Sequence, residues 1–126
     1  MKKIKLIVII LVIIVSIIIV RYITFNPFSY NSGNFEDNKI FVDNQVFVFF
    51  YDNVSFNRIK LFLISINGKL DAYEESIVNS YAITLNKTFE TEEDVEEYCD
   101  ILKDKYNIIE ECFLNGITRI DDPLIQ

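Results

Sequence analysis

The chain contains no histidine and no tryptophan, and only three glycines, two prolines and two cysteines among 126 residues. Without histidine the usual general base is missing, and the Ser-His and Cys-His dyads of nucleophilic catalysis go with it. Three glycines make a phosphate-cradling loop hard to build, and no P-loop, dinucleotide-binding fingerprint or G-x-S-x-G sequence occurs. Cys99 and Cys112 do not form a C-x-x-C pair and have no histidine to complete a ligand set, so neither metal nor cofactor is expected. Adjacent carboxylates do occur, at Glu74-Glu75 and Glu110-Glu111. Neighbouring strand residues point to opposite faces, however, so neither pair is placed to converge on one substrate. No catalytic residue is predicted.

Charge is absent in a second sense: no acidic residue precedes Arg21. What stands there is a run from Ile4 to Val20 of Ile, Val and Leu, broken only by Lys5 and Ser16. With the Tyr22 to Phe25 flank it reaches the roughly 20 residues a bilayer-spanning helix needs. More than a dozen aliphatic side chains outweigh one central Ser, and Lys5 can snorkel. A cleavable signal peptide would end in a small-residue site, but this run passes into Arg21, Tyr22, Ile23, Thr24 and Phe25. The expectation is a retained signal anchor that contacts the membrane through residues 4–25.

Lys2, Lys3, Lys5 and the α-amino group precede the span and only Arg21 directly follows it, which predicts a cytoplasmic N-terminus and an extracytoplasmic remainder. All nineteen acidic residues lie after Arg21 against eight basic ones, a net charge of −11 there. Nucleic acid is an unsuitable partner for such a surface. An anionic membrane would be repelled as well, so the domain is expected to stand off the bilayer or to meet a basic protein.

About a hundred residues after the anchor suffice for one domain and not two. The predicted divisions are a basic tip and anchor over 1–25, a linker over 26–38, an α+β domain over 39–122 and a tail over 123–126. Residues 26–38 are rich in Asn, Ser, Gly and Pro, the composition of a linker. Strand-type sequence follows at 39–42 and 45–51, with turns at Asp43-Asn44 and Asp52-Asn53. Residues 57–67 read as a strand closed by Asn67-Gly68 in a type I′ hairpin, with 69–73 returning. Residues 70–81 fit either period; a strand from 77 to 85 is preferred.

The strongest helix signal is Thr91 with Asp94 as a capping box, followed by Val95, Cys99, Leu102 and Tyr106 on one apolar face. Residues 108–114 and 117–120 flank a second pair, Asn115-Gly116, and suggest a further hairpin. The predicted fold is therefore α+β: one transmembrane helix, then a small domain of antiparallel hairpins packed on one principal helix. Residues 46–51 are apolar at successive positions, hence on both faces, while one helix covers one side. A curled sheet, a second hairpin, a partner or lipid must cover the other.

Two constellations remain as candidate sites. Glu93, Glu97, Asp100 and Asp104 recur at four, three and four residues opposite the Val95 face, a ridge suited to a basic partner. The plainer reading is a solvated face of an acidic protein. Cys99 and Cys112 can form a disulfide in an oxidising compartment or stay as buried thiols. Asn53-Val54-Ser55 and Asn86-Lys87-Thr88 match the N-glycosylation pattern, which has meaning only in a host with an endoplasmic reticulum. The expected function is a non-catalytic binding module, as a small subunit of a membrane complex or an inhibitor of a basic protein, with a protein partner or self-association. A small envelope enzyme using paired carboxylates and a structural tether are the rivals. Protease added to intact cells is expected to remove a C-terminal tag and spare an N-terminal one; a protected C-terminus would reverse the topology.

Overall fold

The computed structural model describes residues 1–30, 40–72 and 79–116. In chain order the elements are helix α1 (Lys2–Thr24), strand β1 (Phe28–Ser29), β2 (Phe41–Phe50), helix α2 (Phe56–Ile66), β3 (Gly68–Asp71), β4 (Ser80–Leu85), helix α3 (Glu92–Lys105) and β5 (Ile109–Gly116). The strands form one mixed sheet in the order β1-β3-β4-β2-β5. β1 runs parallel to β3, and every other pairing is antiparallel. The class is α+β.

Helix α1 has none of its residues buried against the rest of the chain, and its most apolar 18-residue window has a mean hydropathy of 3.2. Its 23 residues rise about 34 Å, enough to cross a hydrocarbon core of about 30 Å. By length and composition it is a candidate membrane span. Ile and Val favour strands in water, but in lipid a helix alone satisfies every backbone group within one segment. The hydroxyls obey the same rule: Ser16 Oγ donates to the Val12 carbonyl and Thr24 Oγ1 to the Val20 carbonyl, both at 2.7 Å.

Three local expectations are corrected. The stretch 57–67 is helix α2, not a strand. Ser55 caps it by accepting the Arg58 amide, and Ile59, Phe62, Leu63 and Ile66 then fall at helical spacing, the first three fully buried. Asn67 is the left-handed C-cap at φ 55°, ψ 43°, so the Asn-Gly signal ends a helix and no hairpin turn forms there. The expected turn at Asp43-Asn44 is absent, because β2 runs unbroken from Phe41 to Phe50 and absorbs the irregularity as register shifts against β5. Within the expected linker, Phe28 and Ser29 join the sheet edge as β1; residues 31–39 lie outside the described residues.

Other elements follow their signals. The Asp52-Asn53 turn is closed by the Val54 amide donating to the Tyr51 carbonyl at 3.1 Å. β3 overlaps the expected 69–73 segment, starting one residue earlier at Gly68, β4 falls within the expected 77–85 segment, and residues 73–78 lie outside the described residues. α3 begins at the Thr91 capping box, with both reciprocal bonds present. The Asn115-Gly116 turn is a further correction: both residues lie within β5, Gly116 pairing with Phe41, so the strand runs through the expected turn, and the expected strand over 117–120 lies outside the described residues.

Two helices, not one, cover the inner face of the sheet. Ile59, Phe62 and Leu63 of α2 and Val95, Cys99 and Leu102 of α3 share one core with Val46, Val48, Phe50, Leu70 and Ile83. A disulfide joins Cys99 to Cys112, with Cα atoms 5.3 Å apart, and so fastens α3 to β5. By the chain-entropy estimate such a short loop contributes roughly 3 kcal/mol. Reduction is expected to lower the melting temperature measurably, by circular dichroism, without loss of helix at low temperature; an unchanged transition would show the bridge to be energetically idle.

Gly68 matters for space, since a Cβ there would stand 2.9 Å from the Ile83 Cγ2 and 3.1 Å from the Ile66 Cδ1. A methyl fixed to a β-branched carbon cannot swing away, so Gly68→Ala is expected to cost about 1–3 kcal/mol in denaturant melts. At Gly116 the nearest atom is 3.8 Å off, and Gly116→Ala serves as the near-neutral comparison.

Candidate functional site

Glu93, Glu97, Asp100 and Asp104 are all exposed and form one line along α3, on the side away from buried Val95, Cys99 and Leu102. Their direction is fixed from three sides. The capping box sets the helix start, the buried stripe sets its rotation, and the Cys99–Cys112 bridge pins its middle to β5. The nearest compensating lysine is engaged elsewhere, since Lys103 Nζ donates to Glu111 Oε2 at 3.1 Å. Among the described residues no ion pair reaches Glu93, Glu97, Asp100 or Asp104, and like charges stand at i,i+4 along the ridge.

The outer face of the sheet carries a second surface. Cys112 points inward to α3, so the next strand residue, Phe113, points outward. It opposes Phe47 in the β2–β5 register and is 49% exposed. Phe47 meets Phe49 edge-on at 5.4 Å, and Phe49 meets Phe113 at 6.0 Å. These rings are how the strand covers its second apolar face: they pack on one another, and the outermost stays half in solvent. The acidic ridge and the aromatic cluster therefore lie on opposite sides of the domain, and one small partner cannot cover both.

Beside the aromatics lies a buried polar network that sequence reading missed. Gln45, 1% exposed, donates from Nε2 to Asp71 Oδ2 at 2.8 Å and to Thr84 Oγ1 at 3.0 Å, and its Oε1 accepts from Asn115 Nδ2 at 2.7 Å. One amide thus ties β3, β4 and β5 to β2, with both donors and its acceptor used. The available signal was a lone Gln inside a strand whose neighbours are apolar. It was masked by the turn assigned to Asp43-Asn44.

Two open clefts flank α3. The first, about 300 Å³, has Arg58, Leu61, Phe62 and Ser65 of α2 facing Lys105, Tyr106 and Ile108. Ser65 Oγ and Tyr106 Oη lie 2.9 Å apart across it. The second, about 370 Å³, is lined by Lys87, Phe89, Glu90, Asp94, Glu97 and Tyr98, with Lys87 Nζ 4.6 Å above the Tyr98 ring. Burial, and secondarily the nearby Tyr106, pushes the Tyr98 phenol above its usual value of 10.0. Neither cleft gathers the paired carboxylates. Glu110 and Glu111 are exposed on β5, the latter held by Lys103, and Glu74-Glu75 lie outside the described residues. Among the described residues no group of three or more His, Cys, Asp or Glu is placed to hold a metal ion.

No family model matches this chain, no curated protein matches its sequence, and no solved structure matches its fold.

Proposed function

We propose that the protein is a single-pass membrane protein, N-terminus in the cytoplasm, whose extracytoplasmic α+β domain is a non-catalytic binding module. It serves as a small subunit of a membrane complex or as an inhibitor that sequesters a basic protein. The observation that carries this reading is the exposed line of Glu93, Glu97, Asp100 and Asp104 on a helix clamped by a cap and a disulfide. A flexible acidic segment would lose conformational entropy on meeting a basic surface; a clamped one has already been ordered by folding. The ridge also lowers the helix's own stability through repulsion at i,i+4, which a basic partner would relieve. An extracytoplasmic location supplies the oxidising conditions in which the Cys99–Cys112 bridge persists.

Replacing Glu93, Glu97, Asp100 and Asp104 together by Gln tests the ridge. The domain is expected to fold with equal or slightly higher stability, by roughly 0.2–0.5 kcal/mol per relieved pair. Crosslinking in intact cells followed by capture through a C-terminal tag is expected to lose the stoichiometric partner at low salt. Unchanged capture would remove the ridge from the interface and leave the opposite aromatic face as the contact.

A further inference from the structure

The outer end of α1 is not separated from the domain by a free linker: β1 begins four residues after Thr24 and pairs at once with β3. Side chains close the same junction. Tyr22 Oη donates to Asn57 Oδ1 at 2.9 Å, Lys60 Nζ lies 4.3 Å above the Tyr22 ring, and Lys69 Nζ lies 6.0 Å from the Phe25 ring. Phe28 stacks on Phe56 at 6.3 Å, yet the two stay 38% and 44% exposed. Helix α2 contains two cations and no acidic residue, although the chain beyond Arg21 has a net charge of −11. Lys60 and Lys69 with Tyr22, Phe25, Phe28 and Phe56 thus gather cations and aromatics where α1 meets the sheet, with Arg21 in the last turn of α1.

We infer that this cluster is a docking surface for anionic phospholipid headgroups of the bilayer that α1 crosses, which holds α2 and the β1 edge against the membrane. The inference rests on reading α1 as a membrane span. The occupant follows from continuity and charge. A surface within one helical turn of the end of a span meets the headgroup layer before it meets any protein. Half-exposed aromatic rings flanked by lysine and arginine have the chemistry that layer favours. Each cation at such a surface strengthens association roughly fivefold and is screened by salt.

The chain contains no tryptophan, so single reporters can be placed without background. The full chain carrying Phe56→Trp, and separately Phe28→Trp, is reconstituted in phosphatidylcholine vesicles with about one-third phosphatidylglycerol, a content that gives a negative surface potential. Lipids brominated near the headgroup are expected to quench both reporters. The Lys60→Gln, Lys69→Gln pair of changes, or vesicles of phosphatidylcholine alone, is expected to shift the docked-to-undocked ratio at least tenfold toward solvent. Ile13→Trp reports on the span itself through lipids brominated deep in the chain. Quenching at Ile13→Trp with solvent-exposed emission from both Phe28→Trp and Phe56→Trp would overturn the docking surface while leaving the span in place. No quenching at Ile13→Trp would overturn the span, and the docking surface with it.

Discussion

Strand β2 is the constraint on which the rest of the domain depends. It is central, pairing with β4 on one side and β5 on the other, and it is apolar on both faces. Val46, Val48 and Phe50 are no more than 1% exposed and set where the helices must lie. At roughly 1.5–3 kcal/mol per fully buried large aliphatic or aromatic side chain, these three alone contribute on the order of the whole stability of a small domain before entropy is subtracted. The outer residues of the same strand then have to be dealt with locally. Phe47 and Phe49 turn to each other and to Phe113, and Gln45 is buried only because three partners take up its amide.

The strand order also ranks the parts of the domain by distance from α1. β1, tied to α1, is one edge of the sheet, and β5, fastened to α3, is the other. Four inter-strand spacings separate them, roughly 19 Å. α2 therefore packs near the tethered edge, where Asn57 and Lys60 reach Tyr22, and α3 packs over the far one. The basic surface beside α1 and the acidic ridge on α3 are segregated by the topology.

How far the sequence was legible follows from which signals were local. The long apolar N-terminal helix, the Thr91 capping box, the apolar face of α3 and strand β5 each rest on residues close in sequence, and each is present. Helix α2 was misread because Ile59, Leu63, Ile64 and Ile66 are β-branched or aliphatic residues equally common in strands. The deciding features were Ser55 as a cap and the 59, 62, 63, 66 spacing, and the Asn67-Gly68 pair pulled the reading toward a hairpin. Asn67 does adopt a left-handed conformation, as that pair implies; the same conformation also terminates helices. Phe28 and Ser29 could not be placed from sequence, since a two-residue parallel strand takes its identity from β3. The Gln45 network was hidden for the same reason: its partners Asp71, Thr84 and Asn115 are 26, 39 and 70 residues away.

Net charge alone leads to the expectation that the domain stands off an anionic bilayer or meets a basic protein, and the distribution of that charge is what the proposed docking adds to it. Seven of the nineteen acids lie on α3, over the edge farthest from α1. At physiological ionic strength the Debye length is about 8 Å, so charges some 19 Å from the tethered edge are attenuated to roughly a tenth at that edge. In the proposed docking, a headgroup next to the end of α1 meets Arg21, Lys60 and Lys69 first, and Asp71 of β3, the described carboxylate on that edge, is tied to Gln45. The same screening works in reverse at α3, where the basic cluster is too distant to neutralise the ridge. The proposed docking at one edge and the proposed basic partner at the other are therefore compatible, because salt screens the two faces of the domain from each other.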